Sequence, residues 1–417
     1  MILSLDVSNH KSIAEPIHFT SIAGYDKTFE NNLKHFDKYR ILPIAAIYGP
    51  NGSGKTNILD AINYIGYLVL HSLRMEPGEK LENEPHKLML NEKSTYDIQF
   101  IKNSYRYAYG FTIENKKIAN EYLYYFPNGK QVKVFERNGL KIIPGNNYKK
   151  GFELSENALK ENRLFLTCAA NYSKVQETEN AYLFFREDIV IYHTNNDWIP
   201  YSIKKMQEDS ELKKYFLDIM QKLGTGIQDI KLKSEQINGI PPKFIMPKEL
   251  QKNIQGMKFE KVEAKINYGS FETDLANEES SGIKKLFEII CPIIDIIKKG
   301  KILIIDEIEN GLHEYLVQQI IRLFKESNSN AQIIFTTHDT NILNANLLRR
   351  DQIWFTQLKS NGKRSTDLYS LIELKNVRKN ENLEMGYISG KYGAIPVLSL
   401  NQNSFLKLVD INGEYNV

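Results

Sequence analysis

The stretch Gly49-Pro50-Asn51-Gly52-Ser53-Gly54-Lys55-Thr56 constrains this chain more than any other. It satisfies G-x-x-x-x-G-K-[ST] at every fixed position. An apolar run, Ile41 to Tyr48, precedes it and suits a buried strand. Asn57-Ile58-Leu59-Asp60-Ala61-Ile62 follows, with apolar residues at 58, 59, 62 and 65 in helical spacing. Strand, glycine loop and helix are the parts of a phosphate-binding loop. The glycines let the backbone turn its N–H groups inward, and the helix N-terminus adds the positive end of a dipole. The expected cradle for the phosphates of a nucleotide is therefore Asn51, Gly52, Ser53, Gly54, Lys55, Thr56 and Asn57; no base-specific motif separates ATP from GTP. Lys55 is expected to reach the β- and γ-phosphates, and Thr56 to place its hydroxyl on Mg²⁺.

A P-loop says only that a nucleotide binds, so the accompanying motifs decide the rest. Ile302-Leu303-Ile304-Ile305 is a short apolar run ending in Asp306-Glu307, the pattern of a Walker B strand. Asp306 is expected to help hold Mg²⁺, and Glu307 to polarise the attacking water as a general base. Ahead of it, Ser280-Ser281-Gly282 opens a helical pattern through Leu286, Ile289, Ile290 and Ile293. Taken alone this is an ordinary N-capped helix start. Downstream, Gln332 to Asp339 reads as a strand ending in His338, a residue suited to hydrogen bonding near neutral pH. Glu309 to His313 forms a loop between these strands, followed by a helix over 312–325.

The chain has 417 residues, 42% of them hydrophobic, enough for a sizeable core and for two or three domains. A net charge of +3 creates no global field for nucleic acid, though it leaves room for a local basic patch. Two cysteines far apart in sequence, Cys168 and Cys291, exclude a disulfide framework and a cysteine-based zinc cluster, and suit a reducing cytoplasm. The first residues carry no basic leader, and no apolar run approaches the roughly 20 residues of a membrane span.

In order, residues 2–7 and 17–19 read as a strand pair, and 25–40 as a loop or short helix. Residues 97–136 form an antiparallel meander with turns at 114–117 and 127–130. Tyr105, Tyr107 and Tyr109 share one strand face; they read as the half-buried face of a sheet, with stacking on nucleic-acid bases as the competing use. Residues 155–187 turn helical, 189–193 are strand-like, and 208–223 form an amphipathic helix stopped by Gly224-Thr225-Gly226. The segment 227–275 is lysine-rich, contains Pro241-Pro242 and has short strands near 228–233 and 260–268. The expected architecture is α/β: a P-loop NTPase domain with an antiparallel β layer and a mixed or helical insertion. The P-loop, Walker B and His338 strands are expected in one parallel core. By motif, 1–150 is the N-terminal lobe, 151–270 the insertion and 271–417 the C-terminal lobe.

The order P-loop, Ser-Gly turn, Walker B, histidine resembles the ABC-type ATPase superfamily that includes SMC-like proteins and the overcoming-lysogenization-defect nucleases. Ser281-Gly282 resembles its signature motif and His338 its switch histidine. Further blocks resemble the "AAA family ATPase" group of bacterial abortive-infection and phage-defence operons: Val7 to Ile13, Ile118-Ala119-Asn120-Glu121-Tyr122-Leu123, Asn162-Arg163-Leu164-Phe165-Leu166, Glu307 to His313, Asp351 to Phe355 and Gly390 to Pro396. His10 stands where that group usually has an aromatic residue. The resemblance implies a homodimer or higher homo-oligomer around ATP, with Ser281 and Gly282 of one copy facing the γ-phosphate held by another. It also implies an effector protein encoded next door, often a nuclease of TOPRIM type. The chain after Trp354 shows no acidic constellation for a built-in nuclease, and no glutamine is securely placed as a Q-loop.

The leading expectation is thus a cytoplasmic ATPase acting as sensor or regulator in an anti-phage system. An SMC-like ATPase that binds DNA or DNA ends shares the same head chemistry. A transporter subunit is set aside, because the region between P-loop and signature is too long and too β-rich.

Overall fold

The computed structural model describes residues 1–192, 198–238, 258–359, 364–378 and 381–395, with the side chains of 235–238 and 258–262 left aside. Two compact units emerge: one comprises residues 187–333, the other residues 2–186 together with the chain from 334 onward. The boundaries expected at 150 and 270 do not follow these units. In particular, residues 151–186 pack with the N-terminal part of the chain and not with the rest of the expected insertion.

The larger unit holds a seven-stranded antiparallel sheet in the order Lys141–Pro144, Val132–Asn138, Lys117–Phe126, Tyr105–Glu114, Ser94–Lys102, Ile2–Ser8, Ile17–Thr20. Two tight hairpins fix its register, pairing Lys102 with Tyr105 and Glu114 with Lys117. Their two-residue loops, Asn103-Ser104 and Asn115-Lys116, all have positive φ. This is the turn whose twist matches the strands, and asparagine tolerates it best among non-glycine residues. The alternation in the meander buries Tyr96, Ile98, Phe100, Tyr107, Tyr109 and Phe111. Tyr107 and Tyr109 are fully covered, which closes the base-stacking use for them; Tyr105 at the strand end stays exposed. Phe100 stacks on Phe184 at 4.0 Å, and the Tyr107 hydroxyl accepts from Asn180. The helical stretch 155–187 is therefore the cover of this sheet. It is broken into Glu153–Ala158, Phe165–Tyr172, Gln176–Leu183 and a final wide turn at Phe184–Asp188.

The same unit carries the P-loop strand, Ile44–Tyr48, all five residues buried. It pairs in parallel with Ile353–Lys359, which pairs antiparallel with Ser365–Ser370. The segment 25–40 forms one short 3-10 helix at Glu30–Asn32, within the expected loop or short helix, and adds two short strands, Lys34–Phe36 and Tyr39–Ile41.

The smaller unit pairs strand Ile189–Tyr192 in parallel with Ile302–Ile305. Helices Ile199–Glu208, Ser210–Lys222, Ser281–Lys298 and Glu314–Glu326 accompany them. Strands Asp229–Asn238, Lys258–Asn267 and Glu272–Asp274 form an antiparallel sheet. The helix Ile199–Glu208 went unread in the sequence because Pro200 sits inside it; proline is tolerated in a first turn, where its missing N–H has no partner to lose. His193, Pro241-Pro242 and Pro396 lie outside the described residues. Among the described residues no helix is long and apolar enough to cross a membrane.

Candidate functional site

The P-loop is shaped by contacts from distant parts of the chain. Gly54 caps the helix Lys55–His71 at φ 100°, a left-handed conformation that favours glycine. A Cβ there would fall 2.0 Å from Thr366 Oγ1 and 2.6 Å from Ser12 Oγ. Those two hydroxyls bond each other at 2.6 Å; Thr366 Oγ1 also donates to the Ser53 carbonyl, and Asn57 Nδ2 donates to Ser12 Oγ. On the other side Ser53 Oγ lies 2.6 Å from Thr356 Oγ1, which donates to the Tyr48 carbonyl. Loop and strand are thus laced to two neighbouring strands. Asn51, Gly52 and Thr56 are exposed, while Ser53 and Lys55 are buried. Lys55 Nζ donates to the carbonyls of Gly49 at 2.9 Å and Pro50 at 3.3 Å, folding the ammonium over its own loop.

The block Val7 to Ile13 supports the P-loop helix from the side. His10 is buried; its Nδ1 lies 2.9 Å from the Tyr96 hydroxyl and its Nε2 3.0 Å from Asp60 Oδ2. Lys11 Nζ reaches the same carboxylate at 2.8 Å. Burial pushes the Asp60 carboxyl up, but the bonds from His10 and Lys11 outweigh it and hold the group below its ordinary value. His10 also keeps the packing role of an aromatic ring, with its centroid 5.9 Å from Tyr64 and 5.6 Å from Tyr96.

His338 belongs to the same unit. The Thr337 amide donates to the Ile47 carbonyl at 3.1 Å, so the chain leaving strand Gln332–Thr336 runs beside the end of the P-loop strand. His338 itself is exposed there. Thr337 Oγ1 accepts from the Asp339 amide, and Asp339 caps the turn that follows.

Ser281, Gly282, Asp306 and Glu307 lie in the smaller unit. Ser280 caps the 18-residue helix Ser281–Lys298, its hydroxyl accepting from the Ile283 amide at 3.3 Å. Ser281 and Gly282 are exposed at its first turn. Gly282 and Ile283 share a groove of about 530 Å³ with Gly311, Leu312 and His313, so this turn and the loop after Walker B form one wall. Strand Ile302–Ile305 is wholly buried and releases Asp306, half-buried, and Glu307, exposed. Glu307 adopts φ 49°, a left-handed conformation uncommon for a glutamate. Its carbonyl accepts from the Asn310 amide at 2.8 Å, closing a turn over 307–310. Backbone strain of this kind gathers at functional positions.

Two blocks that resemble the defence ATPases are scaffolding. Glu121, fully buried, accepts from the amides of Phe165 at 2.6 Å and Leu166 at 2.8 Å and pairs with Arg137. Asn162 Nδ2 donates to the carbonyls of Glu76 and Glu79, and Arg163 to that of Met75. The supporting hydroxyls of Ser12, Thr356 and Thr366 escaped the sequence reading. Single serines and threonines on strands and loops carry no pattern, and only their convergence on the loop marks them.

A P-loop strand, a glycine-capped helix and a Walker B strand with its acids define a P-loop NTPase head with a flanking antiparallel β layer. The family model described as "AAA domain, putative AbiEii toxin, Type IV TA system" matches residues 44–344, and the chain belongs to that family of AAA-type ATPases. No curated protein matches the chain. Among solved structures it is similar to an SMC head bound to the C-winged helix domain of ScpA, with 16% identity, a TM-score of 0.42, and 88% of this chain and 97% of that chain covered. The SMC head domain from Thermotoga maritima is similar at 14% identity and a TM-score of 0.41, with 88% and 98% covered.

Proposed function

We propose that this protein hydrolyses ATP as a switch, dimerising on ATP and thereby controlling a partner effector in an anti-phage, abortive-infection system. The observation that carries the reading is a division of parts. A preshaped phosphate cradle with Lys55 and His338 lies in one unit, and an exposed helix N-terminus, Ser281-Gly282, lies in the other, which also carries Asp306 and Glu307. A helix N-terminus offers backbone N–H groups and a positive dipole end to an anion. In the proposed dimer the Ser281-Gly282 turn of one copy closes over the Lys55 pocket of the other. Residues Asn51 to Asn57 hold the phosphates, Glu307 orients the attacking water and His338 reports on the γ-phosphate. Thr56 and Asp306 supply hard oxygens of the kind Mg²⁺ takes alongside phosphate, and Mg²⁺ would there neutralise developing charge. Hydrolysis would relax the closure.

The link to defence rests on the family itself, which is described by a putative AbiEii toxin of a type IV toxin–antitoxin system. The effector, of nuclease type, would be a separate chain. The test is the size of the Glu307→Gln protein by light scattering with and without ATP. A dimer that persists with ATP is expected. An unchanged size, together with no ATP turnover in the wild type, overturns the reading. Capture of partners by Glu307→Gln in ATP then identifies the effector.

A further inference from the structure

Tyr192, Lys285 and Glu288 form a closed polar triangle inside the smaller unit. The Tyr192 hydroxyl donates to Glu288 Oε1 at 2.5 Å, Lys285 Nζ donates to the Tyr192 oxygen, and Lys285 pairs with Glu288 at 3.4 Å. The Lys285 ammonium also lies 4.6 Å from the centre of the Tyr192 ring, and the Trp198 ring packs near-perpendicular to it with centroids 4.8 Å apart. Both charged side chains are only 14% exposed, well covered for lysine and glutamate.

Three segments meet at this triangle, two of them carrying motifs. Lys285 stands in the second turn of the helix that Ser281-Gly282 opens. Tyr192 ends the strand that pairs with Walker B, in register with Ile305, the residue before Asp306. The stem of Lys285 packs under the turn after Walker B: a Cβ added to Gly311, at φ 74°, would sit 3.6 Å from Lys285 Cγ. An ordinary surface lysine on a helix would leave its ammonium in water. This one gives up that hydration to tie the signature-like helix to the edge that presents Asp306 and Glu307.

We propose that Lys285, acting through Tyr192, is a positioning residue that fixes the Ser281-Gly282 turn relative to the Asp306-Glu307 edge. The turn that meets a phosphate held by the other copy is thereby mechanically tied to the acids of its own chain. The inference rests on the reading that this turn meets a phosphate and that Glu307 orients water. Lys285 itself touches neither.

The test compares wild type with Lys285→Met, Lys285→Arg and Tyr192→Phe. Tyr192→Phe keeps the ring packing and removes only the hydroxyl bonds, so it tests the triangle even if Lys285→Met does not fold. In steady-state ATP turnover, Tyr192→Phe and Lys285→Met are expected to lose roughly ten- to a hundredfold in kcat, the cost of slight misplacement. KM and affinity for a fluorescent ATP analogue should stay within about twofold, since the P-loop is untouched. Lys285→Arg should recover part of kcat. Normal kcat in both Tyr192→Phe and Lys285→Met overturns the proposal. Hydrogen exchange gives an arm independent of activity: the amides of 306–312 should loosen together with those of 281–286 in the variants. Loosening confined to 281–286 overturns it as well. A wild type that binds ATP and never turns it over counts against the ATPase reading, and the exchange arm still decides the positioning role.

Discussion

The Glu121 carboxylate and the Arg137 guanidinium meet at 3.2 Å with neither side chain reaching solvent. Each also serves the backbone. Glu121 receives the amides of Phe165 and Leu166, and Arg137 donates to the carbonyls of Gly139, Lys160 and Arg163. The pair fastens the start of helix Phe165–Tyr172 to the antiparallel sheet. Burial dominates at Glu121 and holds its carboxyl above the ordinary value even with Arg137 beside it.

Removing either partner leaves the other charge buried and uncompensated. Arg137→Met and Glu121→Gln are each expected to cost about 3–5 kcal/mol, measured as a shift in urea unfolding followed by circular dichroism. A loss of about 1 kcal/mol or less, typical of an exposed pair, would show that the pair is not the fastener described.

Gly54 and Gly52 separate two effects of glycine in the loop. Both have positive φ, but a Cβ on Gly52 meets nothing within 4 Å, whereas one on Gly54 collides with Thr366 and Ser12. Gly54→Ala is expected to reduce ATP affinity more than tenfold, and Gly52→Ala by less, reflecting backbone strain of about 1 kcal/mol. Calorimetric titration with ATP checks the order; equal losses would mean the hydroxyl lacing does not shape the cradle.

Asp60 gives the P-loop helix a pH signature. Its folded-state value lies below the ordinary 3.8, so the stability from its bonds with His10 and Lys11 is present above that pH. It is lost as pH falls through the lower, folded value. Wild type should therefore lose thermal stability more steeply than Asp60→Asn below about pH 4. Parallel slopes for the two proteins in differential scanning fluorimetry would remove this contribution.

If each catalytic centre draws on two copies, two inactive variants should repair each other. Lys55→Ala lacks the phosphate-binding lysine, and Gly282→Trp blocks the exposed turn. Each alone is expected to be inactive, and mixing them should restore part of the ATP turnover. A mixture as inactive as its components argues that the centre is complete within one chain.

How much of this was legible in the sequence depended on whether a feature is local. The P-loop, the Walker B strand and the helix opened by Ser281-Gly282 are contiguous patterns, and each appears at its expected place. The meander was legible because its alternation and turns are local too. The interior of 25–40 was not, since its two three-residue strands are too short to show a period. Nor were the compact units: residues 151–186 join the larger one through packing such as Phe184 on Phe100, a contact that sequence spacing does not encode. Glu121 was noticed only as part of a recurring block; the structure shows its work to be fastening, not catalysis.

The lacing of the P-loop also sets an order of events in synthesis. Ser12 and Thr366 are 354 residues apart, Ser53 and Thr366 313, and Ser53 and Thr356 303. The phosphate cradle leaves the ribosome well before Thr356 and Thr366, two of the hydroxyls that shape it. Chain closure over such separations is slow relative to local folding. A nascent chain stopped before Thr356 is therefore expected to carry an intact motif and hold ATP poorly, which binding to stalled ribosome complexes of different lengths would measure. ATP affinity would then mark chains in which Thr356 and Thr366 have reached the loop, and be withheld from shorter fragments that could otherwise join a dimer.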